Sequence, residues 1–214
     1  MKIIDLTHFI SPDMPVYPGT EQPKFNPANT YKKDGFKETL LTMFSHTGTH
    51  IDPPAHLFNG KKTLDLMDIS SFIGSAIVID CKDLDEGDVV TLDRIKKYDK
   101  AENAEFILFN FGWDKYWGKE KYFGNYPIIS NEVVDFIIKT KKKGVGLDTI
   151  GIDPISDTNL SIHKKLFSAL DIIVIENLSN LDKLVDKKFT LFALPLKTKD
   201  ADGSPARAVA YIED

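Results

Sequence analysis

The chain has one cysteine in 214 residues, so it can form no intramolecular disulfide, and it reads as the product of a reducing compartment. It has no apolar run near the roughly 18 residues of a membrane span. Residues 1–5 do not begin a secretory signal, so the expectation is a cytoplasmic protein without a membrane partner. An excess of positive charge is also missing. Against 27 Lys and Arg stand 32 Asp and Glu, a net charge of −5 that offers no footprint for nucleic acid. There is no G-x-G-x-x-G or P-loop pattern to cradle a nucleotide, and no G-x-S-x-G elbow to present a serine nucleophile. Repeats, low-complexity tracts and long linkers are absent as well, and the length suits one domain spanning residues 1–214.

Three of the five histidines fall within residues 46–56, which read His-Thr-Gly-Thr-His-Ile-Asp-Pro-Pro-Ala-His. In an extended strand, alternate residues face one way. His46, Gly48, His50 and Asp52 would then share a face, two imidazoles and a carboxylate meeting at a divalent ion, with Gly48 leaving room for it. The Pro53-Pro54 pair would turn the chain and bring His56 back over the site. A helical H-E-x-x-H reading fails on two counts. Gly48, two threonines and a proline pair are poor helix material, and Thr47 stands where the general-base Glu would be.

The rest of the pattern predicts an α/β fold with a mixed β-sheet. After a first short strand, residues 11–27 read as an irregular loop, and residues 36–45 as a strand entering the histidine motif. Residues 75–81 and 105–110 read as buried strands, and Cys81 as a small buried side chain at the end of one of them. A short helix over residues 91–97 and a longer one over residues 130–142 are predicted, the latter with Ser130 as cap and Gly144 beyond its end. Residues 145–148 and 170–175 read as further strands, and residues 159–166 as the start of a short helix. Residues 189–196 and 206–212 should pair across the turn at 200–203. The aromatic segment holding Trp113, Tyr116 and Trp117 reads as packing against its own domain or a partner more readily than as a substrate wall, and His8 as structural.

Two distant residues are candidates for the same site. Glu176 stands at the exit of a buried strand, a common position for catalytic groups, and His163 lies thirteen residues upstream. Spacing alone leaves a structural role open for both.

Residues 46–56 match, at every fixed position, the motif His-x-Gly-Thr-His-x-Asp-x-Pro-x-His of the cyclase family of metal-dependent hydrolases, which includes bacterial kynurenine formamidases. The opening Asp5-Leu6-Thr7-His8 with residues 11–19, and the later Ile175-Glu176-Asn177-Leu178 and Ala193-Leu194-Pro195-Leu196-Lys197, are similar to that family as well. The resemblance implies that His46, His50 and Asp52 bind one metal. Asp52 and Glu176 would bridge to a second ion, also held by His163, and His56 would give and take the proton. It further implies a swivelling β/β/α fold, a homodimer or larger homo-oligomer, and zinc as the metal, with manganese used by some relatives. The expected reaction is hydrolysis of a small amide or formamide, with N-formylkynurenine, a substrate of tryptophan catabolism, as the first candidate. The alternatives are another cyclic or acyl amide, such as an isatin-like ring, or a non-catalytic metal- or ligand-binding protein. Tyr17 occupies the place where formamidases of the family tend to carry a substrate-stacking tryptophan, and an aromatic wall is its implied role.

Overall fold

The structure is a computed structural model that describes residues 1–213. In chain order its strands are β1 (Lys2–Asp5), β2 (Lys24–Asn29), β3 (Glu38–Thr42), β4 (His50–Asp52), β5 (Ile73–Asp80), β6 (Val89–Val90), β7 (Phe106–Asn110), β8 (Ile128–Ile129), β9 (Gly144–Leu147), β10 (Ile173–Glu176), β11 (Phe189–Pro195) and β12 (Ser204–Ile212). Its helices are α1 (Tyr31–Asp34), α2 (Leu92–Lys96), α3 (Asn131–Lys139) and α4 (Ser161–Ala169).

The main sheet runs β1-β12-β11-β5-β7-β9-β10-β4, and a further pairing of β4 with β12 closes seven of these strands into a ring, with β1 outside on β12. Strands β5, β7, β9 and β10 pair in parallel. Every residue of β7, β9 and β10 is buried. Parallel strands covered on both faces need continuous apolar runs, and Phe-Ile-Leu-Phe-Asn in β7 is such a run. Strands β11 and β12 are antiparallel, and β12 alternates buried and less buried residues, as expected where only one face is covered.

One apolar cluster fills the ring. Ile51, Val78, Leu108, Ile175 and Leu191 meet the alanines 206, 208 and 210 of β12 there. A second cluster lies between the outer face of the sheet and helices α3 and α4, built on Phe109, Val133, Ile137, Leu166 and Phe167. Helix α3 begins as its sequence predicts, with the Ser130 hydroxyl accepting from the Val133 N–H at 3.3 Å.

The expected mixed α/β architecture is therefore present, and the predicted strands and helices are found within a few residues of their expected ends. The cross-turn pair extends from Thr190–Tyr211 to Pro195–Ala206. Cys81 follows β5, fully buried, with burial pushing its thiol up to about 12. Two local expectations are corrected. Residues 11–27 are not loop throughout, because Lys24–Asn29 is β2, which pairs with β3 as a separate two-stranded arm. Strand β3 does not run into the histidine motif either. It stops at Thr42, and bends through residues 45–46 and 48–49 intervene before β4.

The candidate metal centre

The motif is not one continuous pleat. Gly48 has φ +65°, the left-handed region that a side chain rarely adopts. A Cβ there would come within 3.2 Å of Ile10 Cγ1. Gly48 is thus a packed bend rather than part of a pleat, and it still lines the cavity of the site. Only His50 and Asp52 lie two apart on β4 and share its face. The turn brings His46 to the same point, and its Nδ1 lies 2.5 Å from Asp52 Oδ1, with His50 Nε2 3.2 Å from that oxygen.

Strand β10 supplies the opposite side. Its antiparallel register sets Glu176 directly across from His50, so the two side chains leave the sheet together. Glu176 Oε2 lies 3.5 Å from His50 Nε2, and its Oε1 accepts from the Ile152 N–H at 2.9 Å. His163 arrives from the first turn of α4, with Nε2 3.3 Å from Asp52 Oδ2 and 3.4 Å from Glu176 Oε1. His56 follows the Pro53-Pro54 turn in a short 3-10 segment, Pro54–His56, and its ring centroid stands 4.0 Å from that of His46. All six residues expected to form the metal and proton-transfer site thus face one cavity of about 530 Å³, together with Tyr17.

The donor set fits divalent ions. Ligand atoms of His46, His50 and Asp52 lie within 4.8 Å of one another, as do those of Asp52, His163 and Glu176, and Asp52 belongs to both groups. Asp52, His50, His163 and Glu176 are all buried, an expensive arrangement unless the charges are compensated. The outer partners hold the rings in place. His50 Nδ1 lies 2.8 Å from the Gly48 carbonyl, which makes it the N–H and turns the Nε2 lone pair inward. His163 Nδ1 likewise lies 2.6 Å from Asp153 Oδ2.

Asp153, which sequence reasoning missed, has a second task. Residue 160, just before α4, is Leu160 in the left-handed region with no capping side chain, and Asp153 accepts the Ile162 and His163 N–H groups instead, at 2.6 and 3.1 Å. One carboxylate starts the helix and orients its histidine. The local signal was an Asp before a Pro, which reads only as a turn. Gly203 was also missed. A Cβ on it would fall 2.5 Å from His46 Nε2, so any side chain just ahead of β12 would push this ring from its place.

Burial and neighbouring charge set the protonation of the cluster. Burial alone would depress His50, but the Asp52 carboxylate overrides it and raises the imidazole to about 9. The same opposition, again won by the acids, raises His46 and His163. Asp52 is held well below the usual carboxylate range, its burial outweighed by the His50 and His46 charges. His56 goes the other way, because burial takes it down to about 4 and leaves it neutral at pH 7. Tyr17 is raised by burial and then by Glu176. Of the loop aromatics, Trp113 is buried with Nε1 donating to the Tyr122 carbonyl, and Trp117 stacks on His8 at 4.0 Å, so both pack within the body.

The family described as "Putative cyclase" matches residues 4–154. A kynurenine formamidase of Bacillus cytotoxicus is 32% identical over 208 residues, 96% of this chain and 95% of its own. Among solved structures, isatin hydrolase A from Labrenzia aggregata, bound to benzyl benzoate, superposes with a TM-score of 0.88 at 27% identity, covering 100% of this chain and 94% of that one. A structure described as a potential metal-dependent hydrolase with cyclase activity gives a TM-score of 0.77 at 27% identity, covering 100% and 98%. The chain belongs to the cyclase family of metal-dependent hydrolases.

Proposed function

We propose that this enzyme hydrolyses a small aryl amide or formamide, with N-formylkynurenine, cleaved to kynurenine and formate, as the substrate to test first. The observation that carries the proposal is the convergence of two three-residue donor groups sharing Asp52 beneath a neutral, half-buried His56. In this reading His46, His50 and Asp52 hold one ion, and Asp52, Glu176 and His163 a second. Three imidazoles and two carboxylates suit zinc, and the oxygen-rich second group also accommodates manganese. When bound, such ions supply Lewis acidity toward water and toward the substrate carbonyl.

The protein's own groups do the rest. His56, neutral at pH 7, takes the proton from the attacking water and delivers it to the leaving nitrogen. A group with so low a pKa is a weak base but, once protonated, a strong acid toward that nitrogen. Asp52 and Glu176 offset the cationic charge, while Asp153 and the Gly48 carbonyl hold the ring positions. Tyr17, 39% exposed at the cavity wall, offers an aromatic face and a hydroxyl to an aryl group.

The match to an isatin hydrolase at a TM-score of 0.88 supports an isatin-like ring amide as the second substrate to assay. We further propose a homodimer or larger assembly of this one-domain chain, because the β2–β3 arm leaves Phe25, Leu40 and Leu41 exposed. We assign it to the cytoplasm on its single, unpaired cysteine. No helix among the described residues is long and apolar enough to cross a membrane. The test is a formyl-release assay on His56→Ala. Turnover should fall about 10² to 10⁴-fold with ion content unchanged, and full activity in that variant would remove His56 from the mechanism.

A further inference from the structure

The cavity holds a third group of donors, which shares His46 with the first ion described above, includes the proton-transfer residue His56, and adds Asp202. Ligand atoms of His46, His56 and Asp202 lie within 4.8 Å of one another. Asp202 comes from the turn before β12, and its Oδ2 stands 3.4 Å from His46 Nε2. That nitrogen is buried and has no hydrogen-bond partner. Buried polar atoms are nearly always satisfied, so an orphan facing a carboxylate and a second imidazole calls for an occupant.

We propose that His56, Asp202 and the outward Nε2 of His46 form a separate cation position at the mouth of the cavity, and that a divalent transition-metal ion bound there inhibits the enzyme. Two imidazoles and one carboxylate select zinc-like ions over magnesium or calcium, which prefer all-oxygen shells. The position is weaker than the inner ones for two reasons. Asp202 has 58% of its side chain exposed, so water competes for it. A neutral imidazole also has one lone pair to give, and the His46 ring turns its other nitrogen toward Asp52 at 2.5 Å. An ion at the mouth must share or capture His46, and it occupies the lone pair of His56. Either event stops turnover, the first by loosening the inner set and the second by removing the proton acceptor. The enzyme therefore needs zinc at low concentration and is inhibited by it at higher concentration.

The inhibitory half of this inference rests on the hydrolase reading; the ion count does not. The zinc-loaded enzyme is titrated with further Zn²⁺ by calorimetry, while amide turnover is followed over the same range, for the wild type and Asp202→Asn. The wild type should take up one additional, weaker ion and lose activity in parallel, about tenfold when free Zn²⁺ reaches about ten times the dissociation constant of that position. Asp202→Asn should keep the wild-type rate at low Zn²⁺ and lose both the extra uptake and the inhibition. Mg²⁺ at equal concentration should do neither. Inhibition and uptake that persist unchanged in Asp202→Asn, or a wild type that takes up no further ion, overturn the proposal. If no amide is turned over, the hydrolase reading fails and calorimetry still decides the outer position. Turnover without extra uptake leaves the hydrolase standing and removes the inhibitory site.

Discussion

Replacing Gly203 by alanine should separate the site from the fold. The backbone φ at Gly203 lies outside the left-handed region, so alanine brings no conformational strain there. What it brings is a methyl group 2.5 Å from His46 Nε2 and 2.9 Å from Nδ1, closer still to Cε1. Ordinary contact begins near 3.4 Å, so the ring must retreat by about 1 Å. His46 has 22% of its side chain exposed and can swing outward. The stability cost should therefore sit at the low end of overpacking, about 1 kcal/mol, or about 2 to 4 °C in Tm for a chain of this length. The functional cost should be much larger, because a displacement of about 1 Å in a catalytic constellation costs about 10²-fold in rate. Turnover, ion content and thermal unfolding measured on the same preparation provide the comparison. A Gly203→Ala enzyme with wild-type turnover and ion content would show that the position of His46 does not matter, and the role given to that residue would be wrong.

Two further outcomes follow from the outer partners and the charges. Asp153→Asn should lower metal affinity about 10 to 100-fold, because Asn cannot both accept the His163 Nδ1–H and hold the two α4 N–H groups with full charge. Competition with a chromophoric chelator reads this directly, and unchanged affinity would make Asp153 a helix cap only. The raised imidazoles give a sign for pH. In the ion-free protein His50 titrates near 9 against about 6.5 unfolded, so its contribution is full below pH 6.5 and is lost as pH rises toward 9. That contribution is on the order of 3 kcal/mol. Ion-free protein should therefore lose stability across this window, while ion binding at pH 7 should release protons, detectable by calorimetry in buffers of differing ionisation enthalpy. No proton release would contradict the raised values.

The most informative part of the sequence was short. Residues 46–56 carried the metal set because rare, chemically costly residue types were concentrated there, and the proline pair made the return of His56 readable. The geometry was less legible. Even spacing suggested a pleat, yet Gly48 adopts φ +65° and packs on Ile10, a contact between distant segments that spacing does not encode. His163 and Glu176 were weak candidates on their own because their partner is far away in the chain. His163 and Asp52 are separated by 111 positions and meet only where α4 reaches the cavity, while Glu176 comes to His50 because β10 pairs with β4. The central strands were readable as unbroken apolar runs. Ring closure was not, since β4 is three residues long and pairs with β12 at only two positions. Asp153 and Gly203 act through a helix start and a single close approach, neither of which has a local pattern.

The central claim is that two donor groups sharing Asp52 each hold a divalent ion. A crystal structure of the zinc-loaded protein, with anomalous data collected on both sides of the zinc edge, tests it most directly. The account predicts one peak within coordination distance of His46, His50 and Asp52 and another near Asp52, His163 and Glu176. Fully loaded protein with no anomalous density at Asp52 would contradict it.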